Sequence, residues 1–138
     1  MAKASQAVIL ENEFYIIKAP NGKVLEVKNF NTENGAAIQL WSYAGHPWQQ
    51  WQFVDAGEGR WRICNRFTGK MIDLALGGVV EGTWLHQWGR TSGLSQCWEL
   101  ESTRNGRTRI RNVLADKYID LVGMNTSNGA QAQIWNYV

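Results

Sequence analysis

The sequence is short of several things, and each shortage closes off a class of protein. Two prolines and two cysteines are all that 138 residues contain. Cys64 and Cys97 lie in no C-x-x-C pair and in no metal-spaced cluster, so they read as reduced structural thiols. No metal and no cofactor is expected. No apolar run approaches the roughly 18 residues of a transmembrane helix. The opening MAKASQAVILENEF has an apolar patch broken by Glu11, Asn12 and Glu13, unlike the core of a secretory signal. Cytoplasm is the default expectation, with non-classical export open. The formal net charge is only +2 and no run of Lys or Arg occurs, which argues against nucleic acid and membrane insertion. The most basic stretch, TRNGRTRIRN (103–112), alternates charged with apolar residues and reads as a strand with a solvated face.

Helical periodicity is missing too. Apolar residues alternate instead, in VLEV, MIDL and YIDL, and Gly or Asn interrupts every few residues. Alternation with frequent turn residues predicts many short strands, an all-β chain. What the sequence has in plenty is tryptophan, eight residues, and glycine, fourteen.

These residues recur with a period of 47. NGKVLEV (21–27), TGKMIDL (68–74) and ADKYIDL (115–121) are one pattern three times over. The same step relates Glu26, Asp73 and Asp120, then Gly35, Gly82 and Gly129, then Trp41, Trp88 and Trp135, and upstream Ile16, Ile63 and Ile110. Each repeat reads strand, turn, strand, Gly-containing loop, strand, loop, strand, as in RWRIC, KMIDL, WLHQW and CWELE. The repeats span about 12–58, 59–105 and 106–138 plus 1–11 of a single domain. No repeat can bury its apolar face alone, so three must close around one core. The third stops three residues after Trp135, while SQAVILE near the start matches the strand that follows Gln96. The twelfth strand is therefore expected from residues 6–11, which removes two open edges.

Three copies of this pattern, with Gln-x-Trp at Gln49–Trp51 and Gln96–Trp98 and its remnant at Gln6, resemble the ricin B-chain-type lectins. The resemblance covers essentially the whole chain. It implies a β-trefoil: a six-stranded barrel capped by three hairpins, with pseudo-threefold symmetry. It also implies one sugar site per repeat, in which a carboxylate accepts sugar hydroxyls and an aromatic ring stacks on the apolar sugar face. Carried over, the second repeat offers Asp73, His86, Trp88 and Ser95. The third offers Asp120, Gln133, Trp135 with Asn136 after it, and Ser5 from the N-terminal segment. The first offers Glu26, Gln39, Trp41 and Trp48. The Asn that precedes Gln-x-Trp in the family is Trp48, Ser95 or Ser5 here. Glu26, one methylene longer than Asp, would crowd its pocket. Trp51 and Trp98 are expected in the core, and Gln6, Gln49 and Gln96 are expected to bond backbone near the loops. Glycine at 35, 82 and 129 is expected to supply turns with positive φ.

The resemblance implies a lectin for glycans or glycoproteins, of galactose or N-acetylgalactosamine type, multivalent and able to agglutinate cells by their surface sugars. The number of chains per assembly stays open, a homodimer included. An enzyme is not expected: there is no Gly-x-Ser-x-Gly, no nucleophile–base pair can be named, and the three carboxylates sit a repeat apart. Two other readings stand beside the lectin. One is a trefoil scaffold that binds proteins, such as a protease inhibitor, through SYAGHPWQQW (42–51). The other is the targeting module of a toxin or glycosidase, although Met1 and the closed repeat favour a free-standing chain.

Overall fold

Eleven strands run through the described residues, 9–121 and 125–136, of a computed structural model. The first repeat supplies β1 (Phe14–Tyr15), β2 (Val24–Val27), β3 (Ile38–Trp41) and β4 (Trp51–Gly57). The second supplies β5 (Arg60–Asn65), β6 (Met71–Leu74), β7 (Leu85–Trp88) and β8 (Trp98–Ser102). The third supplies β9 (Thr108–Asn112), β10 (Lys117–Leu121) and β11 (Ala132–Trp135). The sequence periodicity thus becomes structural periodicity.

Strands β1, β4, β5, β8 and β9 follow one another as antiparallel neighbours and form the barrel wall. Their inner faces alternate as a half-buried strand should, with Trp51 and Phe53 buried and Gln52 and Val54 less so. Trp51 and Trp98 are fully buried, and each donates its indole N–H to a backbone carbonyl, of Leu25 and Ile72 respectively, at 3.1 Å. Without that acceptor a buried N–H would cost about 1–3 kcal/mol. The remaining core is aliphatic: Leu25, Ile38, Ile63, Leu85 and Ile134 among others.

Strands pair as hairpins β2–β3, β6–β7 and β10–β11, and these meet at one end of the barrel. Their junction is threefold to the residue. Isolated bridges join Ala37 to His86, Trp84 to Gln133 and Gln39 to Gln131. The backbone N–H groups of Gly35, Gly82 and Gly129 donate to the carbonyls of Gln87, Ile134 and Leu40 at 2.8, 2.9 and 2.8 Å. Those glycines have φ of 91°, 88° and 90°, a region costly for any residue with a Cβ.

Of the expected twelfth strand, Gln6, with residues 7 and 8, lies outside the described residues, as does Ser5. Its described part, residues 9–11, runs beside the barrel without being in a strand. There Ile9 packs on the core, the Leu10 N–H donates to the Tyr15 hydroxyl at 2.9 Å, and Gln52 donates to the Glu11 carbonyl at 2.7 Å. The basic stretch needs a correction. Only Thr108–Asn112 is strand, and Thr103–Arg107 turn back on themselves through the bond from the Thr103 N–H to the Arg107 carbonyl, 2.7 Å. Nor is the face simply solvated, because the β8–β9 register sets Glu99 opposite Arg111 and Glu101 opposite Arg109. Arg111 reaches Glu99 at 2.7 Å and Asp116 at 2.9 Å, and Arg109 reaches Glu101 at 3.2 Å. Cys64 and Cys97 are unpaired, and burial pushes the Cys64 thiol above its ordinary range.

Candidate functional site

Each hairpin places a carboxylate directly across from an amide or imidazole. Glu26 pairs with Gln39, Asp73 with His86 and Asp120 with Gln133, all in the cross-strand register. Two residues further along the third strand stands a tryptophan, on the same face because strand side chains alternate. Trp41, Trp88 and Trp135 are 42%, 40% and 40% exposed, three indoles presented alike at the hairpin end of the barrel.

The backing of each indole comes from the preceding repeat in the ring. A Cβ on Gly35, Gly82 or Gly129 would lie 4.0, 3.7 or 4.0 Å from Cζ3 of Trp88, Trp135 or Trp41. The residue after each indole is tied down in the same way. The Gly89 N–H donates to Asn34 at 2.9 Å, the Ser42 N–H to Asn128 at 2.9 Å, and the Asn136 N–H to Glu81 at 3.4 Å. Asn34, Glu81 and Asn128 were missed as site residues, although their own spacing of 47 could have revealed them.

The Gln-x-Trp glutamines do two things. Gln49 donates to the Ser42 carbonyl and accepts from the Ala44 N–H, at 2.9 and 2.8 Å, which folds the loop after Trp41. Gln96 repeats this with Gly89 and Thr91, both at 2.9 Å. Each also reaches the carboxylate of its repeat, which backbone bonding alone did not anticipate.

The three carboxylates differ in how closely these side chains hold them. Glu26 is buried, and both its oxygens are engaged, by Gln39 at 2.8 Å and Gln49 at 3.0 Å. Its extra methylene brings it within short range of both amides, and each oxygen keeps a further lone pair. Asp73 is buried as well: its Oδ1 accepts the Leu74 N–H at 2.8 Å, while Oδ2 faces Gln96 at 3.4 Å and His86 Nε2 at 3.5 Å. At that length the His86 contact is electrostatic more than a formed hydrogen bond, and Nε2 has no nearer partner. Burial raises the Asp73 pKa, but His86, Ser95, the Leu74 N–H and Gln96 outweigh it and hold the carboxyl below its ordinary value. His86 also stacks on Trp88, centroids 5.4 Å apart and planes within 25°. Asp120 is only partly buried and meets Gln133 at 3.5 Å.

Trp48 and Ser95, equivalent in sequence, face different neighbours. Ser95 hydrogen-bonds Asp73, whereas Trp48 sits half-buried in a cluster with His46 stacked at 4.2 Å, Phe30 at 5.1 Å and Phe67 at 5.6 Å. Phe30 holds φ at 43°, where the second repeat has Gly77. A left-handed backbone at a bulky residue costs on the order of 1–3 kcal/mol.

A trefoil cap carrying a carboxylate, a polar partner and a half-exposed indole in each corner defines a carbohydrate-binding module. The model of the ricin-type beta-trefoil lectin domain-like family matches residues 6–88 and 77–135, and the chain belongs to that family. No curated protein sequence matches it. Among solved structures it is similar to ThreeFoil, a designed 3-fold symmetric protein, with TM-score 0.88 and 30% identity over 91% of this chain and 90% of that one. It is similar to 1,3Gal43A, an exo-beta-1,3-galactanase from Clostridium thermocellum, with TM-score 0.89 and 29% identity over 95% of this chain. This chain spans only 29% of that enzyme and 16% of a mosquitocidal holotoxin that it also matches. The Rhizoctonia solani agglutinin shares the fold, with TM-score 0.80 and 18% identity over 95% of this chain and 90% of that one.

Proposed function

We propose that the protein is a lectin for galactose-type glycans, with working sites in the second and third repeats. The observation that carries this reading is the repeated pairing of a half-exposed indole with a carboxylate whose Gln and His partners stand at 3.4–3.5 Å, at Asp73 with Trp88 and at Asp120 with Trp135. A pyranose lays its C–H face on the indole while adjacent hydroxyls donate to the carboxylate. His86 and Gln133 add polar contacts beside the ring. The first repeat, with Glu26 held by two amides at 2.8 and 3.0 Å, contributes less to a single sugar. The galactose preference draws on the similarity to an exo-beta-1,3-galactanase, a protein whose printed name gives galactan as its substrate.

One shallow site should hold a monosaccharide near millimolar, about 4 kcal/mol. Two sites on a glycan-bearing surface gain by effective concentration, roughly 10²–10⁴ in avidity. That arithmetic favours glycoproteins and cell-surface glycans as partners and makes agglutination the natural assay. A second reading, a targeting module within a larger protein, is favoured by the small share of the galactanase and the holotoxin that this chain spans.

Calorimetry with galactose and β-1,3-galacto-oligosaccharides, alongside a glycan array, tests the function. Binding by the wild type and loss of galactose binding in the Asp73→Asn/Asp120→Asn double variant support it. Full galactose binding by that variant would remove the assignment of sites.

A further inference from the structure

Beside the first sugar corner stands a group of aromatic residues, three from the first repeat and Phe67 from the second, that the fold does not require. Shifting Phe30, His46, Trp48 and Phe67 by one repeat gives Gly77, Gly93, Ser95 and Leu114. One repeat on, the chain builds the same 3₁₀ turn with those smaller residues. That backbone is therefore an internal control: Trp48 and the three residues whose rings touch it turned aromatic together, and one of them, Phe30, tolerates a left-handed backbone to remain so. Packing does not account for it, since Phe30 is 59% and Phe67 45% exposed, and His46 is exposed as well.

The cluster begins where the first sugar site ends. Trp48 immediately precedes Gln49, whose amide holds Glu26. At this corner the carboxylate is already held by two amides, at 2.8 and 3.0 Å, while stacking surface has been added: the Trp48 group besides Trp41. Recognition here leans on apolar C–H faces, and each ring serves one sugar unit. We propose that the first repeat is a subsite for an extended glycan chain, holding at least two consecutive sugar units by stacking on Trp41 and on the Phe30–Trp48–Phe67 group. This rests on the lectin reading above and assigns the corner a different ligand form from the terminal sugars of the other two. The continuity of the patch with a sugar corner favours a glycan over a second copy of the chain. The cation bordering the cluster, Arg66, is engaged by Gln50 at 2.7 Å and lies over Phe14.

The test is calorimetry with galactose and β-1,3-galactotetraose on the full chain and the Asp73→Asn/Asp120→Asn variant, with thermal melting to verify folding. The proposal expects the double variant to lose galactose yet keep the tetraose. Adding Phe30→Gly and Phe67→Leu, the residues that stand one repeat on, should then weaken the tetraose by about tenfold or more, as loss of a stacking face would. Trp48→Ser in the same background gives an independent reading should that combination fold poorly. In the otherwise wild-type chain, Phe30→Gly/Phe67→Leu should leave galactose affinity unchanged. No tetraose binding by the double variant, or binding indifferent to both sets of substitutions, overturns the proposal while leaving the lectin reading intact. A wild type that binds neither sugar overturns the galactose reading and this inference with it. Concentration-dependent dimerisation in sedimentation, abolished by Phe30→Gly/Phe67→Leu while tetraose binding is unaffected, assigns the patch to a second copy instead.

Discussion

Asn34 Oδ1 accepts the backbone N–H of Gly89 at 2.9 Å across 55 residues of sequence, so the loop of one repeat fixes the residue after the indole of the next. Asn128 does the same for Ser42. With the glycine next to each of these residues lying against the same indole, the stacking surface of every site is a property of two repeats. Asn34→Ala should lower stability by about 1 kcal/mol, the net worth of one such bond. It should also weaken galactose binding at the Trp88 corner, whereas Asn128→Ala should cost similar stability with little change in galactose affinity. Thermal melting and calorimetry on the two variants separate these effects.

Gln87 is the polar exception at a core position. Its counterparts one repeat away are Leu40 and Ile134, and all three are fully buried. Its amide donates to the carbonyls of Asn31 and Glu33 at 2.8 Å each and accepts from the Thr68 hydroxyl at 2.8 Å. Gln87→Leu copies the counterparts yet strands three partners. Chemical denaturation should show a loss of about 2–3 kcal/mol. An unchanged midpoint would mean that water satisfies all three.

Leu76 projects fully into solvent from a backbone with φ of 54°. It packs on nothing that its removal would uncover. Leu76→Gly should relieve the left-handed strain and raise stability by about 0.5–1 kcal/mol, or roughly 2–4 °C in Tm for a chain of this size. Differential scanning calorimetry reads this directly.

Acid should act on Asp73 in a definite direction. Its folded pKa lies below the ordinary 3.8, so its contribution is complete above that value and disappears as pH falls through the lowered one. The stability difference between wild type and Asp73→Asn should therefore be constant near neutral pH and shrink below about pH 4. Melting curves at a series of acidic pH values check it, and a difference that grew on acidification would reverse the sign.

Much of the site was legible in the sequence because the repeat is the fold. A constant step of 47 at Glu26, Asp73 and Asp120 and at the three tryptophans could mean only equivalent places on equivalent strands. The positive φ of Gly35, Gly82 and Gly129 and the burial of Trp51 and Trp98 followed from the same alignment of the chain with itself. The arginines of 103–112 were harder to place, because alternation shows which face a residue occupies but not that β8 sets glutamates opposite it.

Local pattern determined the strands, the three hairpins and the order of chemistry within each, since alternation and turn residues act over a few neighbouring positions. Tertiary structure alone decided how far the corners diverge. How tightly Glu26 is held depends on distances to Gln39 and Gln49, 13 and 23 residues away. Whether four aromatic residues form one surface depends on a turn of the second repeat, bearing Phe67, packing beside Trp48. Those are through-space relations of a few ångströms, and a one-dimensional period carries no information about them.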